Sequence, residues 1–263
     1  MSADLIYVYC ITTGSAEKIN PIISEGLTSF VFGNFTVFGK YVNANDFSEE
    51  NFKNNLSNIQ WLEANAREHI RVISEIMKLI TVIPFNFGTI YQTKASLQKF
   101  VSGYTDSLKE NFIHLKGKEE WAVKIYANIR VLKARIDELS EKSAALEREI
   151  MASSPGKAFL LSRKKTELIE NEIDQLCKLY GQKYYDELKS LSVATNLNNL
   201  LPKDFTGRND TMILNANFLV NQDKSAEFVK KVDALTKESN TSGFVIVATG
   251  PWPTFSFISI KEK

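Results

Sequence analysis

Ile129, Leu132, Ile136, Leu139, Ser143, Leu146 and Ile150 follow one another in steps of 3, 4, 3, 4, 3 and 4 residues. That alternation keeps a narrow apolar stripe on one face of a slowly supercoiling helix, the seam of a coiled coil. Ser153-Ser154-Pro155-Gly156 ends the run. A second seam, Phe159, Thr166, Ile169, Ile173, Leu176, Tyr180, Leu188 and Leu191, then predicts a helix over about residues 157–191. Two long helices joined by a short Pro-Gly loop close by folding back antiparallel. The reading is therefore a helical hairpin over residues 128–192, about five turns or more per arm. Between these limits 12 Lys or Arg face 11 Asp or Glu, a mixture that fits a solvated arm or a protein partner rather than nucleic acid.

Strand-like runs flank the hairpin: Glu120–Tyr126 before it, then Val193–Leu201, Met212–Val220 and Gly243–Ala248, with a helix near 225–238. Strand, helix, strand, strand, helix, strand is the ferredoxin-like order, with the hairpin inserted as its first helix. Upstream, Leu5–Ile11 reads as a buried strand and Phe30–Phe32 with Phe35–Phe38 as a hairpin turned at Gly33-Asn34. A helix is expected over about 58–80, an extended stretch over 81–91 in which Pro84 marks an edge position or a bulge, and one helix over about 94–112. The fold class is α+β in two domains. Residues 1–115 form an N-terminal α+β domain and 118–249 a modified ferredoxin-like domain bearing the hairpin. Residues 250–263 form a tail that packs back on the domains.

The 263 residues carry a net charge of +1, without the basic excess that phosphate neutralisation requires. Two cysteines, Cys10 and Cys177, and two histidines exclude a disulfide framework, a Cys-rich zinc site and a His-rich metal centre. Met1-Ser2-Ala3-Asp4 lacks a positive n-region, and no apolar run reaches the ~18 residues of a membrane span. A cytoplasmic protein is expected. Gly33 to Lys40 has five intervening residues where a phosphate-binding loop needs four, so it reads as a turn.

His69 neighbours Glu68, but adjacent helical residues point apart, so both His69 and His114 read as surface or boundary histidines. Cys10 reads as buried and Cys177 as structural. Arg163-Lys164-Lys165 is able to touch an acidic surface, although Glu167, Glu170 and Glu172 follow at once. Two stiff aromatic segments stand apart from the rest: Pro84-Phe85-Asn86-Phe87-Gly88-Thr89, and Gly250-Pro251-Trp252-Pro253 with Phe255-Ser256-Phe257. Each suits either a staple within the protein or an anchor for a partner.

At these residues the sequence resembles the gas vesicle accessory family of the GvpL/GvpF type. Tyr7-Val8-Tyr9, Trp61-Leu62 with Ala66 and His69, and Glu120-Trp121-Ala122-Val123-Lys124 carry the likeness. So do Pro155-Gly156-Lys157-Ala158-Phe159, Asn215-Ala216-Asn217-Phe218 and the two aromatic segments. Asn86 stands where the family commonly has arginine, and Ala122 where it has glycine, so a contact made by that arginine is altered here. The resemblance implies the two-domain fold and a non-enzymatic, minor or structural role in vesicle assembly, located at the gas vesicle. The implied partners are the hydrophobic major shell protein and other accessory proteins, with no nucleic acid and no membrane. It implies no cofactor, metal or catalytic residue. Candidate contact residues are Phe85, Asn86, Phe87, Trp121, Arg163, Trp252 and Phe255. An enzyme with an interdomain cleft and a generic coiled-coil adaptor are the alternatives.

Overall fold

From Ile6 to Thr12 every residue of strand β1 (Leu5–Thr13) is buried, as expected of a run of β-branched and aromatic side chains enclosed on both faces. The computed structural model describes residues 4–14, 26–240 and 242–260. Residues 1–3 and the last three of the expected tail lie outside these. The chain mixes helix with two antiparallel sheets. It divides into one unit that runs to Glu120 and resumes at Pro251, and a second spanning Trp121–Gly250.

In the first unit β1 lies between β3 (Phe35–Val42) and β4 (Val82–Pro84), with β2 (Thr28–Phe32) outside β3 and β5 (Ile90–Tyr91) also paired to β1. Gly33, at φ +58°, makes the β2–β3 turn, a conformation that costs glycine little. Short helices α1 (Ala44–Phe47) and α2 (Glu49–Asn55) lead into α3 (Ile59–Met77). Asn58 caps α3 by accepting from the N–H groups of Gln60 and Trp61. The helix buries His69, Val72, Ile73 and Ile76. Pro84 sits on an end strand of the sheet, where its missing N–H costs no ladder bond. The single helix expected over 94–112 is two, α4 (Lys94–Gly103) and α5 (Thr105–Leu115). The break at Tyr104 follows Gly103, a poor helix former.

The second unit runs β6 (Lys118–Ala127), α6 (Ile129–Ala134), α7 (Ile136–Leu139), α8 (Glu141–Met151), α9 (Pro155–Lys189) and β7 (Ala194–Leu197). It continues through α10 (Lys203–Thr206), β8 (Thr211–Asn221), α11 (Ser225–Asn240) and β9 (Phe244–Trp252). The sheet order is β7-β8-β6-β9. Leu214, Ala216, Phe218 and Val220 of β8 pack with Tyr184 and Leu188 of α9 and Phe228 and Leu235 of α11 in one core.

The first arm departs from the expected continuous seam. It is cut into α6, α7 and α8 at Arg135 and Ser140. Leu132 and Ile136 are buried in the sheet's core with Ile173, because steps of three and four serve a core-facing helix as well as a coiled coil. Ser140 is extended, caps α8 by accepting from Ser143 N–H, and donates to Glu172 Oε2 at 2.6 Å. That bond and Lys142 hold the Glu172 carboxyl below its ordinary range. Only α8, 11 residues long, is left to lie along the tip of α9. Pro155 occupies the first turn of α9, where a missing N–H costs nothing, so it opens the second helix.

Leu132→Ala is therefore expected to cost about 2–5 kcal/mol, read from urea unfolding, and Leu146→Ala on α8 less than half as much. Equal losses would restore one uniform seam.

Candidate interaction site

β1 carries a bulge between Val8 and Cys10 where its register against β3 shifts. Tyr7 and Tyr9 lie with ring centroids 5.1 Å apart, both buried against α3. The Tyr7 hydroxyl lies 2.8 Å from His69 Nδ1, and His69 Nε2 lies 2.9 Å from the Phe85 carbonyl. A carbonyl only accepts, so Nε2 carries the proton and Nδ1 accepts from Tyr7. Gly88 N–H donates to the Tyr7 oxygen at 3.4 Å. Burial pushes His69 down to about 4, against the Phe85 bond and the Glu68 charge, which raise it. Burial likewise pushes the Tyr7 and Tyr9 hydroxyls up, helped by Glu68.

Beside this chain, Tyr9 donates to Glu68 Oε1 at 3.1 Å and Lys40 Nζ pairs with Glu68 Oε2 at 2.8 Å. The aromatic segment after β4 is bound to the same place. Phe85 N–H donates to the Tyr9 carbonyl and Val8 N–H to the Thr89 carbonyl. Asn86–Thr89 close a turn with Gly88 at φ +80°. A Cβ on Gly88 would stand 2.5 Å from the Phe52 ring.

The tail is fixed within this unit. Ser256 N–H and Oγ donate to the two Glu120 oxygens at 2.9 and 2.7 Å, and Asn111 exchanges two hydrogen bonds with Ser259. Burial raises the Glu120 carboxyl in spite of the Ser256 bonds.

Phe85, Phe87 and Phe255 thus converge on His69. Phe85 is buried against Phe100, Phe87 stands edge-on to His69, and Phe255 stacks on it with centroids 6.4 Å apart. Asn86 is exposed, and Trp252 at the end of β9 is 37% exposed. Trp121 and Arg163 lie in the other unit. The Trp121 indole donates to Ser225, and Arg163 is exposed on α9. The expected surface histidine is wrong for His69, which is 1% exposed. It sits on the apolar stripe Leu62, Ala66, His69, Ile73, Ile76, a signal present in the spacing. Its tyrosine partner, 62 residues away, leaves no such trace.

Cys10 is fully buried, which raises its thiol, and partial burial moves Cys177 up to about 11. Neither has the electropositive setting of a reactive thiol. Among the described residues no three His, Cys, Asp or Glu side chains gather to hold a metal ion, and no helix is long and apolar enough to cross a membrane. At the tip of the helical hairpin Met151, Phe159 and Leu160 are 79%, 66% and 66% exposed. Arg163 and Lys164 follow Phe159 and Leu160 by one turn, on the same face.

Residues 5–259 match the family model described as gas vesicle synthesis protein GvpL/GvpF. Gas vesicle protein L of Streptomyces sp. (strain CB03234) is 26% identical over 268 residues, covering 100% of this chain and 96% of that protein. Gas vesicle protein F1 of Halobacterium salinarum is 24% identical, covering 75% and 70%. The crystal structure of gas vesicle protein GvpF from Anabaena sp. PCC7120 superposes with a TM-score of 0.71 at 20% identity, covering 98% of this chain and all of that one. The Microcystis aeruginosa GvpF structure gives 0.67 at 19% identity over the same shares. Both likenesses establish the fold.

Well above pH 6.5 the His69 ring is neutral in folded and unfolded chains alike, and stability is whole. Between 6.5 and about 4 the unfolded chain takes up a proton that the folded one refuses. Stability is expected to drop by about 3 kcal/mol across that window. His69→Gln should flatten the drop in urea unfolding at pH 7 and 4.5. Gly88→Ala is expected to lose more than about 1 kcal/mol by the same measurement, from its φ and the Phe52 collision together.

Proposed function

The chain belongs to the gas vesicle synthesis protein GvpL/GvpF family, and from that premise we propose that it is a non-enzymatic accessory protein of gas vesicle formation that binds the hydrophobic major shell protein and other accessory proteins. A shell subunit that must present apolar surface to gas aggregates in water unless that surface is covered. The observation that carries the reading is the family match over residues 5–259. The exposed Phe159 and Leu160, beside Arg163 at the hairpin tip, supply a surface of the right kind. Asn86 and Trp252 are the accessible members of the aromatic segments and join Arg163 as contact candidates. Phe85, Phe87 and Phe255 support the segment from beneath, and Trp121 steadies α11 through Ser225.

The non-enzymatic reading draws support from the way the titratable groups are engaged. His69 has both ring nitrogens bonded within the fold, and Glu68 is paired with Lys40. We further read the second unit as a modified ferredoxin-like domain. Numbering its strands by appearance, the order is second, third, first, fourth, and a helical crossover separates the first strand from the second and the third from the fourth.

Deleting the gene is expected to abolish vesicles in electron micrographs, and the intact gene to restore them. Rescue by a Phe159→Ser, Leu160→Ser double variant should be impaired while its thermal unfolding stays unchanged. Normal vesicles in the deletion strain would end the proposal.

A further inference from the structure

β7 ends its sheet, with β8 on one side. Asn198 N–H donates to the Asn215 carbonyl of β8 at 2.8 Å. Because an antiparallel strand alternates the direction of its backbone groups, Asn196 turns toward β8 as well, and Thr195 and Leu197 turn their N–H and C=O groups to the open side. Such a row is a template for another strand.

The side chains point to the same use. Thr195 is paired with Phe218 and Leu197 with Ala216, so both lie on the core face of the sheet, and the Thr195 hydroxyl meets Tyr185 of α9 at 2.8 Å. Leu197 carries that face outward uncovered, 60% exposed, and Val193, Leu200, Leu201 and Phe205 are 49%, 53%, 38% and 80% exposed. No charged residue lies between Lys189 and Lys203. The other end strand of this sheet and one of the first are blunted by Pro251 in β9 and Pro84 in β4, a usual protection of edges. β7 carries neither proline nor charge.

We propose that β7 is a docking edge that receives an extended, uncharged, apolar segment of a partner polypeptide as an added strand. Open backbone donors and acceptors select an extended chain, and the apolar face sets its side chains. The absence of charge matches a neutral segment, since a charged one would lose its hydration without gaining an ion partner. Resting on the function proposed above, that partner is the major shell protein.

The test is capture of purified shell protein by the full-length chain, comparing wild type with Leu197→Pro, Leu197→Lys and Leu197→Thr. Proline removes the outward N–H while sparing the ladder to β8, and lysine adds the missing edge charge. Both are expected to weaken capture about tenfold, with threonine closer to wild type. If proline unfolds the chain, the lysine variant alone decides. Capture by wild type and undiminished capture by folded Leu197→Pro or Leu197→Lys overturns the docking edge and leaves the shell-binding function standing. No capture by wild type overturns the function itself. Self-association that Leu197→Lys abolishes, with shell capture intact, also overturns the proposal and assigns the edge to a second copy of the chain.

Discussion

One face of β8 organises the second unit. Leu214, Ala216, Phe218 and Val220 alternate along it, and period-two alternation admits one register in which all four leave water. α9 and α11 are held where they lie because Tyr184, Leu188, Phe228 and Leu235 complete that layer. The same demand draws Leu132 and Ile136 out of the helical hairpin and into the core, which shortens the first arm to α8. At β7 the layer runs on past the last helix that covers it. A surface feature and a core feature thus have one cause.

The first unit solves its equivalent problem with hydrogen bonds as well as packing. A helix bearing a histidine is packed on a strand bearing two tyrosines, and each buried polar atom in the chain from Gly88 through Tyr7 and His69 to Phe85 finds a partner. Leaving one unmet would cost about 1–3 kcal/mol, so removing a single member costs more than its own contacts. The aromatic turn after β4 and the 3₁₀ turn Phe255–Phe257 are both seated around this group. Their stiffness comes from what lies beneath them, with Phe87 and Phe255 facing inward on His69 and Asn86 outward.

Much of this was legible in the chain. Strand positions followed from β-branched runs, the β2–β3 turn from Gly33 and the span of α3 from its apolar spacing, while Pro84 marked β4 as either an edge or a bulge, of which the fold takes the edge. Other features were not. Seam spacing is degenerate between a coiled coil and a helix laid on a sheet, so Ile129 to Ile150 read as one helix where the fold needs three. The bond from Ser140 to Glu172 depends on two helices meeting side by side, and the pair Tyr7 and His69 on a strand meeting a helix. Contacts across such distances in sequence leave no local period. The apolar character of residues 193–201 was visible as a strand. That Leu197, on the core face of that strand, stays exposed requires the sheet order.

The account rests on contact surface, and amide hydrogen exchange across the whole chain, with and without shell protein, examines that most directly. It predicts slowed exchange in peptides covering residues 193–205, with Thr195 and Leu197 among the protected amides, and around Phe159 and Leu160, while the buried residues 6–12 of β1 exchange as before. Unchanged exchange over 193–205 in a chain saturated with shell protein would contradict it.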